Sequence, residues 1–201
     1  HDANELAILL MDSGRYQESR AVLVDTLAQI SADRGEENAD YAYSLNTRQR
    51  LLYAQGQYPE AEADMRRVLE IRLRLFGERH TLVSEGFANL GTLALMRGDA
   101  AESERMSRRA LEIGTSLYGG EHPKLAITLN NLSKAVQEQG RLEEAITLQR
   151  RALALRRKQL GEGNPQLAVN FHNLALMLRE RGEYEEAIRL LEEAVAINRK
   201  R

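Results

Sequence analysis

The stretch AITLNNLSKAVQEQGRLEEAITLQRRALALRRKQLGEGNP, at 126–165, decides the fold of this 201-residue chain. Apolar residues recur every three or four positions on both sides of a central glycine, which is the period of an α-helix with one buried face. The pattern predicts a first helix over 124–138, a turn at Gly140 and a second helix over 142–159. Glycine suits the turn because it adopts positive φ without a steric penalty.

The same pattern returns along the whole chain with a period of 42 residues. The turn glycines are Gly14, Gly56, Gly98, Gly140 and Gly182, and a glutamate follows each of them four positions later. A second series, Gly35, Gly77, Gly119 and Gly161, follows each second helix, where glycine is a common stop signal. Repetition of this length is typical of helical hairpins that stack on one another. We therefore expect a single repeat domain of five units, over 1–38, 39–80, 81–122, 123–164 and 165–201.

Each unit has a first helix, called helix A, and a second helix, called helix B. Helix A carries its apolar stripe eleven, eight and four residues before the turn glycine, as Leu129, Leu132 and Val136 show in the fourth unit. Arg48 breaks this stripe in the second unit, and a buried arginine needs a partner. Ser107 and Gln149 lie on helix B where a bulky residue is expected, which predicts thin packing there.

Composition excludes several classes of function. Lys and Arg number 28 against 30 Asp and Glu, a balance that argues against a nucleic-acid partner. The chain has no cysteine and no apolar run long enough to span a membrane, so we expect neither thiolate chemistry nor a membrane partner. It also has no phosphate loop, nucleophile elbow or metal-ligand spacing. We expect a cytoplasmic, non-catalytic protein without cofactor or metal, cut from a longer chain.

The quoted stretch, together with AVNFHNLALMLRERGEYEEAIRLLEEAVAI at 168–197, resembles tetratricopeptide repeats in the 42-residue form of kinesin light chains. The resemblance covers essentially the whole chain. It implies an all-α, right-handed superhelical solenoid of five antiparallel helix pairs, with A helices lining a concave groove and B helices outside. It also implies a non-catalytic scaffold that binds a peptide or a partner protein in that groove.

Polar residues ten, nine and six positions before the turn glycine lie opposite the apolar stripe of helix A. They supply the predicted peptide-binding residues: Asn46, Arg50, Asn89, Asn130, Asn131, Lys134, His172 and Asn173. An amide both donates and accepts, so it can hold the backbone of an extended peptide, and the resemblance implies this role for groove asparagines. Arg50 and Lys134, the two cations in this set, favour an acidic segment of the partner. Alternatively, the asparagines are structural and bond neighbouring helices.

Helix B carries paired arginines in register, Arg66-Arg67, Arg108-Arg109 and Arg150-Arg151, with Arg72, Arg74, Arg156, Arg157 and Lys158 further along. One interpretation is a basic outer ridge that binds an acidic partner or RNA, but no aromatic residue interleaves the arginines to stack bases. We favour a solvated face stabilised by the pairs Glu62–Arg66, Glu104–Arg108 and Glu70–Arg74, each four residues apart.

Two further predictions concern the junctions and the ends of the chain. His80 and His122 occupy junction positions where Asn38 and Asn164 also occur, which indicates a role at helix entry rather than in binding a metal. The alternative function is a regulatory or self-assembly segment of a larger signalling protein. Such a segment would act through intramolecular or homotypic contacts, with homo-oligomers formed through the uncapped ends.

Overall fold

The computed structural model describes residues 2–199, which form ten α-helices and contain no strand. The A helices are α1 (Asp2–Asp12), α3 (Ala39–Ala54), α5 (Thr81–Met96), α7 (Ala126–Glu138) and α9 (Ala168–Arg181). The B helices are α2 (Tyr16–Arg34), α4 (Tyr58–Phe76), α6 (Ala100–Tyr118), α8 (Leu142–Leu160) and α10 (Tyr184–Asn198). Each helix packs on the helices before and after it in the chain, which makes a solenoid. Short 3-10 turns, Pro123–Leu125 and Pro165–Leu167, precede α7 and α9.

The turn between helix A and helix B has the same hydrogen bonds in every unit. At the end of α3, the Gly56 N–H donates to the Tyr53 carbonyl and the Gln57 N–H reaches back to the Leu52 carbonyl at 2.9 Å. These bonds satisfy carbonyls that the end of a helix leaves unpaired. Gly56 has φ of +73°, and a Cβ there would meet no atom within 4 Å, so glycine is needed for its conformation and not for space.

The junction residues cap α3 and α5 directly and cap the 3-10 turns that precede α7 and α9. The Nδ1 atoms of His80 and His122 each accept a backbone N–H at 3.2 Å, two residues further along the chain. The Oδ1 atoms of Asn38 and Asn164 accept backbone N–H groups at 2.9 Å in the other two junctions. The imidazole and amide side chains therefore make equivalent capping hydrogen bonds, which confirms the predicted role at helix entry.

The apolar stripe of the A helices is buried between units, and Leu132 and Phe171 are both 0% exposed. Arg48, the exception, is half-buried and makes a two-point contact with Asp64, at 2.7 and 2.8 Å. Asp64 lies on α4, eight residues after its turn glycine, where other units have Val22, Met106, Leu148 and Leu190. The second unit has thus replaced an apolar contact by an ion pair.

Ser107 and Gln149 are both fully buried. The prediction of thin packing is wrong at Ser107, where two helices approach closely. Ser107 faces Gly91 on α5, and a Cβ on Gly91 would come within 2.6 Å of the Ser107 Oγ and 3.3 Å of the Ser103 carbonyl. Small residues on both helices therefore let α5 and α6 approach each other closely, and this approach fills the space.

Candidate functional site

Two cavities open between the A helices, and Asn89 lines both of them. Cavity one has a volume of about 670 Å³ and is bounded by α1, α3, α5 and the start of α2. Its wall includes Tyr16, Arg50, Tyr53 and Asn89, with Asp12 at one edge. Cavity two has a volume of about 360 Å³ and lies between α5, the start of the fourth unit and the ends of α6 and α8.

The structure brings two of the predicted binding residues together in cavity one. Arg50 and Asn89 lie on neighbouring A helices and are both exposed. Arg50 makes no ion pair with any residue between 2 and 199, although Asp12 lines the same cavity. An unpaired guanidinium beside an exposed amide can bind a carboxylate and a peptide backbone at the same time.

Three of the other predicted residues bond across neighbouring A helices. Asn131 is 8% exposed and its Nδ2 donates to the Thr92 Oγ1 at 2.7 Å. The Nδ2 of Asn173 donates to the Oδ1 of Asn130 at 3.1 Å. In this arrangement the amides hold α5, α7 and α9 together, as the structural alternative supposes.

Asn46, Lys134 and His172 line neither cavity. Asn46 and Lys134 are half-buried on α3 and α7, whereas His172 is exposed on α9. Lys134, like Arg50, makes no ion pair within the described part of the chain. It therefore adds an available positive charge to the same side of the solenoid, beyond the cavities themselves.

The B helices show the ion pairs that the sequence predicts. Arg66 contacts Glu62, Arg108 contacts Glu104, and Arg74 contacts Glu70. This confirms a helix face covered by charge pairs rather than a ridge of free arginines.

A further set of ion pairs joins successive B helices. Arg66, Arg108 and Arg150 contact Glu102, Glu144 and Glu186, at 2.9, 2.6 and 2.8 Å, and each pair spans 36 residues. We did not predict these contacts, but their signal is in the sequence: an arginine ten residues after one turn glycine and a glutamate four residues after the next.

Glu104 is the most strongly held carboxylate of this face. It accepts hydrogen bonds from Arg141, Arg108 and Gln139. The bond from the Arg141 guanidinium is the largest influence, and together these donors lower the pKa of Glu104 to about 2 although burial acts in the opposite direction. The carboxylate is therefore charged in the folded chain under all ordinary conditions.

The placement of Arg72 and Arg156 on the outer face is wrong. Arg72 is 7% exposed and donates to the Leu82 carbonyl at 3.1 Å, while Arg156 lines cavity two. Arg156 follows Arg150 by six residues. Six steps of about 100° turn a side chain by about 240°, which brings it from the outer side of helix B towards the A helices.

Two kinds of feature are absent from the described residues. No helix within 2–199 is long and apolar enough to cross a membrane. No group of three or more His, Asp or Glu side chains in that range is arranged to hold a metal ion.

Comparison with known proteins agrees with this architecture. Among solved structures, the nearly identical TPR-like repeats of a candidate kinesin light chain from Podospora anserina are 25% identical in sequence. They superpose with a TM-score of 0.81, covering 99% of this chain and 94% of that one. BtubC (BKLC) from P. vanneervenii is 22% identical with a TM-score of 0.84, over 97% of this chain and 78% of its own. MamA is 14% identical with a TM-score of 0.66, over 96% and 95%.

The search of curated proteins found no match. The model of the tetratricopeptide repeat, in contrast, matches four overlapping stretches, 2–74, 50–113, 85–158 and 128–200. Proteins with this architecture are scaffolds for protein–protein interaction, and the family is generally non-catalytic. The chain belongs to the tetratricopeptide repeat family, and its fold is that of the kinesin light chain-like repeats.

Proposed function

We propose that this chain binds an extended, acidic segment of a partner protein along the A helices, with cavity one as the main contact. The observation that carries the proposal is Arg50, an exposed and unpaired cation beside Asn89 in an open cavity of about 670 Å³. On the B helices, Arg66, Arg108 and Arg150 are neutralised by glutamates, whereas Arg50 and Lys134 on the other side make no ion pair within the described residues.

The lining of cavity one fits a peptide. Asn89 can donate to a backbone carbonyl and accept from a backbone N–H, while Arg50 can take a carboxylate through two parallel hydrogen bonds. Tyr16 and Tyr53 offer ring surface to an apolar side chain. Asp12 lines the same cavity, so the bound segment would place its acidic residue at Arg50 and not at the α1 edge.

The size of the cavity sets the length of the segment. Packed helices lie about 8–10 Å apart, so the path from α1 across α3 to α5 is about 16–20 Å. An extended chain advances about 3.3 Å per residue, which gives about five or six residues in contact with cavity one.

Selection from a phage-displayed pool of random 12-residue peptides tests this function. Peptides that bind the wild-type chain should be enriched in Asp and Glu. In fluorescence polarisation, Arg50→Glu should weaken a selected peptide at least about 10-fold and Asn89→Ala several-fold. Arg189→Glu, an exposed arginine on α10 that lines neither cavity, is the matched control. Failure to select any peptide, or equal affinity for wild type and Arg50→Glu, would overturn the proposal.

The second candidate function is stacking of the chain on a second copy of itself. Leu6 and Leu9 are exposed on α1, and Ile188, Leu191 and Val195 are exposed on α10. The same positions of inner units are covered by a neighbouring unit, which is the case for Leu132 and Leu153. Light scattering over a range of concentrations should then show a mass that grows, and Leu191→Lys should abolish the growth. A constant monomer mass would exclude this candidate.

A further inference from the structure

We propose that cavity two is a second anion site, which binds a carboxylate of the partner segment next to an apolar side chain of the same segment. This inference rests on the proposed function, because it extends the path of the same segment beyond cavity one. It assigns a role to Lys124, which the sequence patterns did not single out, and gives Arg156 a role in a cavity instead of on an outer ridge.

The evidence begins with two cations that share one cavity. Lys124 and Arg156 both line cavity two, and neither makes an ion pair with a residue in the described range. The Lys124 Nζ lies 5.1 Å from the centroid of the Tyr118 ring, which places the charge over an aromatic face at the cavity wall. Glu85 is the carboxylate that lines the same cavity, so two positive charges face one negative charge.

Arg156 differs from the arginine at the equivalent position of the second unit. Both Arg72 and Arg156 stand sixteen residues after a turn glycine. Arg72 is buried and donates to the backbone carbonyl of Leu82. This arginine therefore has a structural role in joining α4 to α5. Arg156 is half-buried and makes no such bond in the described structure. A guanidinium has five N–H donors in a fork that matches a carboxylate, so its open side at the cavity favours an anionic ligand.

The remaining wall of cavity two is apolar. Ile127 is 57% exposed and lines the cavity together with Leu125 and Tyr118. Ala88 also lines it, at the repeat position where the second and fourth units carry Asn46 and Asn130. The loss of the amide at this position leaves methyl surface, which suits a large apolar side chain.

The two cavities form one path. Asn89 lines both, so a segment bound at Arg50 can pass Asn89 and enter cavity two without leaving the surface of the A helices. The distance from α3 across α5 to α7 is about two helix spacings, about 16–20 Å, and Lys124 lies ten residues further from its turn glycine than Arg50 does, which adds about 15 Å along the helix axes. The direct distance is then about 22–25 Å, so we expect the bound segment to carry two acidic residues about seven or eight positions apart, with an apolar residue beside the second one.

A double-mutant cycle tests the assignment. The probe is a synthetic peptide with the sequence selected from the 12-residue pool, together with a version in which its second acidic residue is replaced by glutamine. The double variant Lys124→Gln/Arg156→Gln should bind the selected peptide about 5- to 10-fold more weakly than wild type. It should bind the glutamine peptide as well as wild type does. Lys158→Gln, on the same helix but outside both cavities, is the matched control.

Charge reversal gives a second measurement. The variant Lys124→Glu/Arg156→Glu should lose the selected peptide and recover affinity when the second acidic residue of the peptide is changed to lysine. Thermal melting of each variant checks that the fold is retained. If a double variant has a lower melting temperature than wild type, the two single variants are used in the same binding measurement instead. Recovery by the lysine peptide cannot arise from a purely structural role of these residues.

The outcomes separate this inference from the proposed function. If Arg50→Glu weakens binding and the cavity two variants do not, cavity two is not a subsite and the proposed function stands. If the variants weaken both peptides equally, the carboxylate is not their ligand and the inference is overturned. If neither Arg50 nor the cavity two residues affect affinity, both proposals fail.

Discussion

Two groups of arginines, one on the outer face of the solenoid and one at the cavities, differ in how they are paired. On the B helices, Arg66, Arg108 and Arg150 each contact a glutamate of the next unit, and Arg66 and Arg108 also contact one of their own helix. On the A helices and in the two cavities, Arg50 and Arg156 make no ion pair within 2–199. Charge on the outer face therefore joins successive units at Arg66, Arg108 and Arg150, whereas Arg50 and Arg156 join none.

The largest effect is expected at the Arg48–Asp64 pair, whose carboxylate side chain is only 10% exposed. Asp64→Ala would leave the half-buried guanidinium of Arg48 without its carboxylate and lower the free energy of unfolding by about 2–3 kcal/mol, measured by urea denaturation. The double variant Arg48→Leu/Asp64→Leu should lie within about 1 kcal/mol of wild type, because other units have apolar residues at these positions. A loss below about 0.5 kcal/mol in Asp64→Ala would show that this pair acts like an exposed one.

The next largest effect is expected in the way the free energy of unfolding depends on pH. Because the pKa of Glu104 is lowered to about 2 in the folded chain, the unfolded chain takes up this proton more readily. Stabilisation by Glu104 is therefore complete above the ordinary glutamate pKa and is lost as the pH falls from about 4.5 towards 2. Wild type should lose about 1 kcal/mol more than Glu104→Gln over this interval in acid denaturation. Parallel curves for the two proteins would show that the three donors do not stabilise the fold.

A smaller effect is expected on the exposed part of the outer face. Arg108→Ala removes contacts with Glu104 and Glu144 and should lower the free energy of unfolding by about 0.5 kcal/mol at low salt. Thermal melts in about 1 M NaCl should show almost no difference, because the Debye length falls to about 3 Å. Arg189→Ala is the control without an ion pair in the described structure. A loss that does not depend on salt would point to packing of the side-chain stem instead.

The smallest effect is expected on the inner face. Arg50→Gln should change the free energy of unfolding by less than about 0.3 kcal/mol at any salt concentration, since no carboxylate is lost. The measurement is the same pair of melting curves used for Arg108→Ala. If Arg50→Gln destabilised the chain as much as Arg108→Ala, the two faces would not differ in the way we describe.

The repeat made most of the architecture predictable. The glycine spacing located the five turns, and the apolar offsets located the residues that are buried between units. Even Arg48 was recognisable as a residue that needs a partner, although Asp64 could be named only once α3 and α4 were packed together. The helical period is sufficient for these results because it is a local property of the chain.

The candidate site was less predictable, because it depends on contacts between units. A helical wheel places Asn89 and Asn131 on the same face, yet Asn131 bonds to Thr92 and Asn89 lines two cavities. Which amide remains free depends on the side chain that the preceding unit presents. Arg156 was misplaced for a related reason, since its arginine neighbours on helix B suggested one common face.

The ladder of arginine–glutamate pairs on the B helices does not extend to the first unit. Val24 takes the place of the arginine there, and Glu60, the glutamate in register with it, makes no ion pair among residues 2–199. Native-state hydrogen exchange should therefore find that the amides of α1 and α2 are released by local opening before those of the inner hairpins. Because Tyr16 lines cavity one, a bound segment would close this hairpin onto the rest, and recognition would be coupled to the ordering of the amino-terminal hairpin.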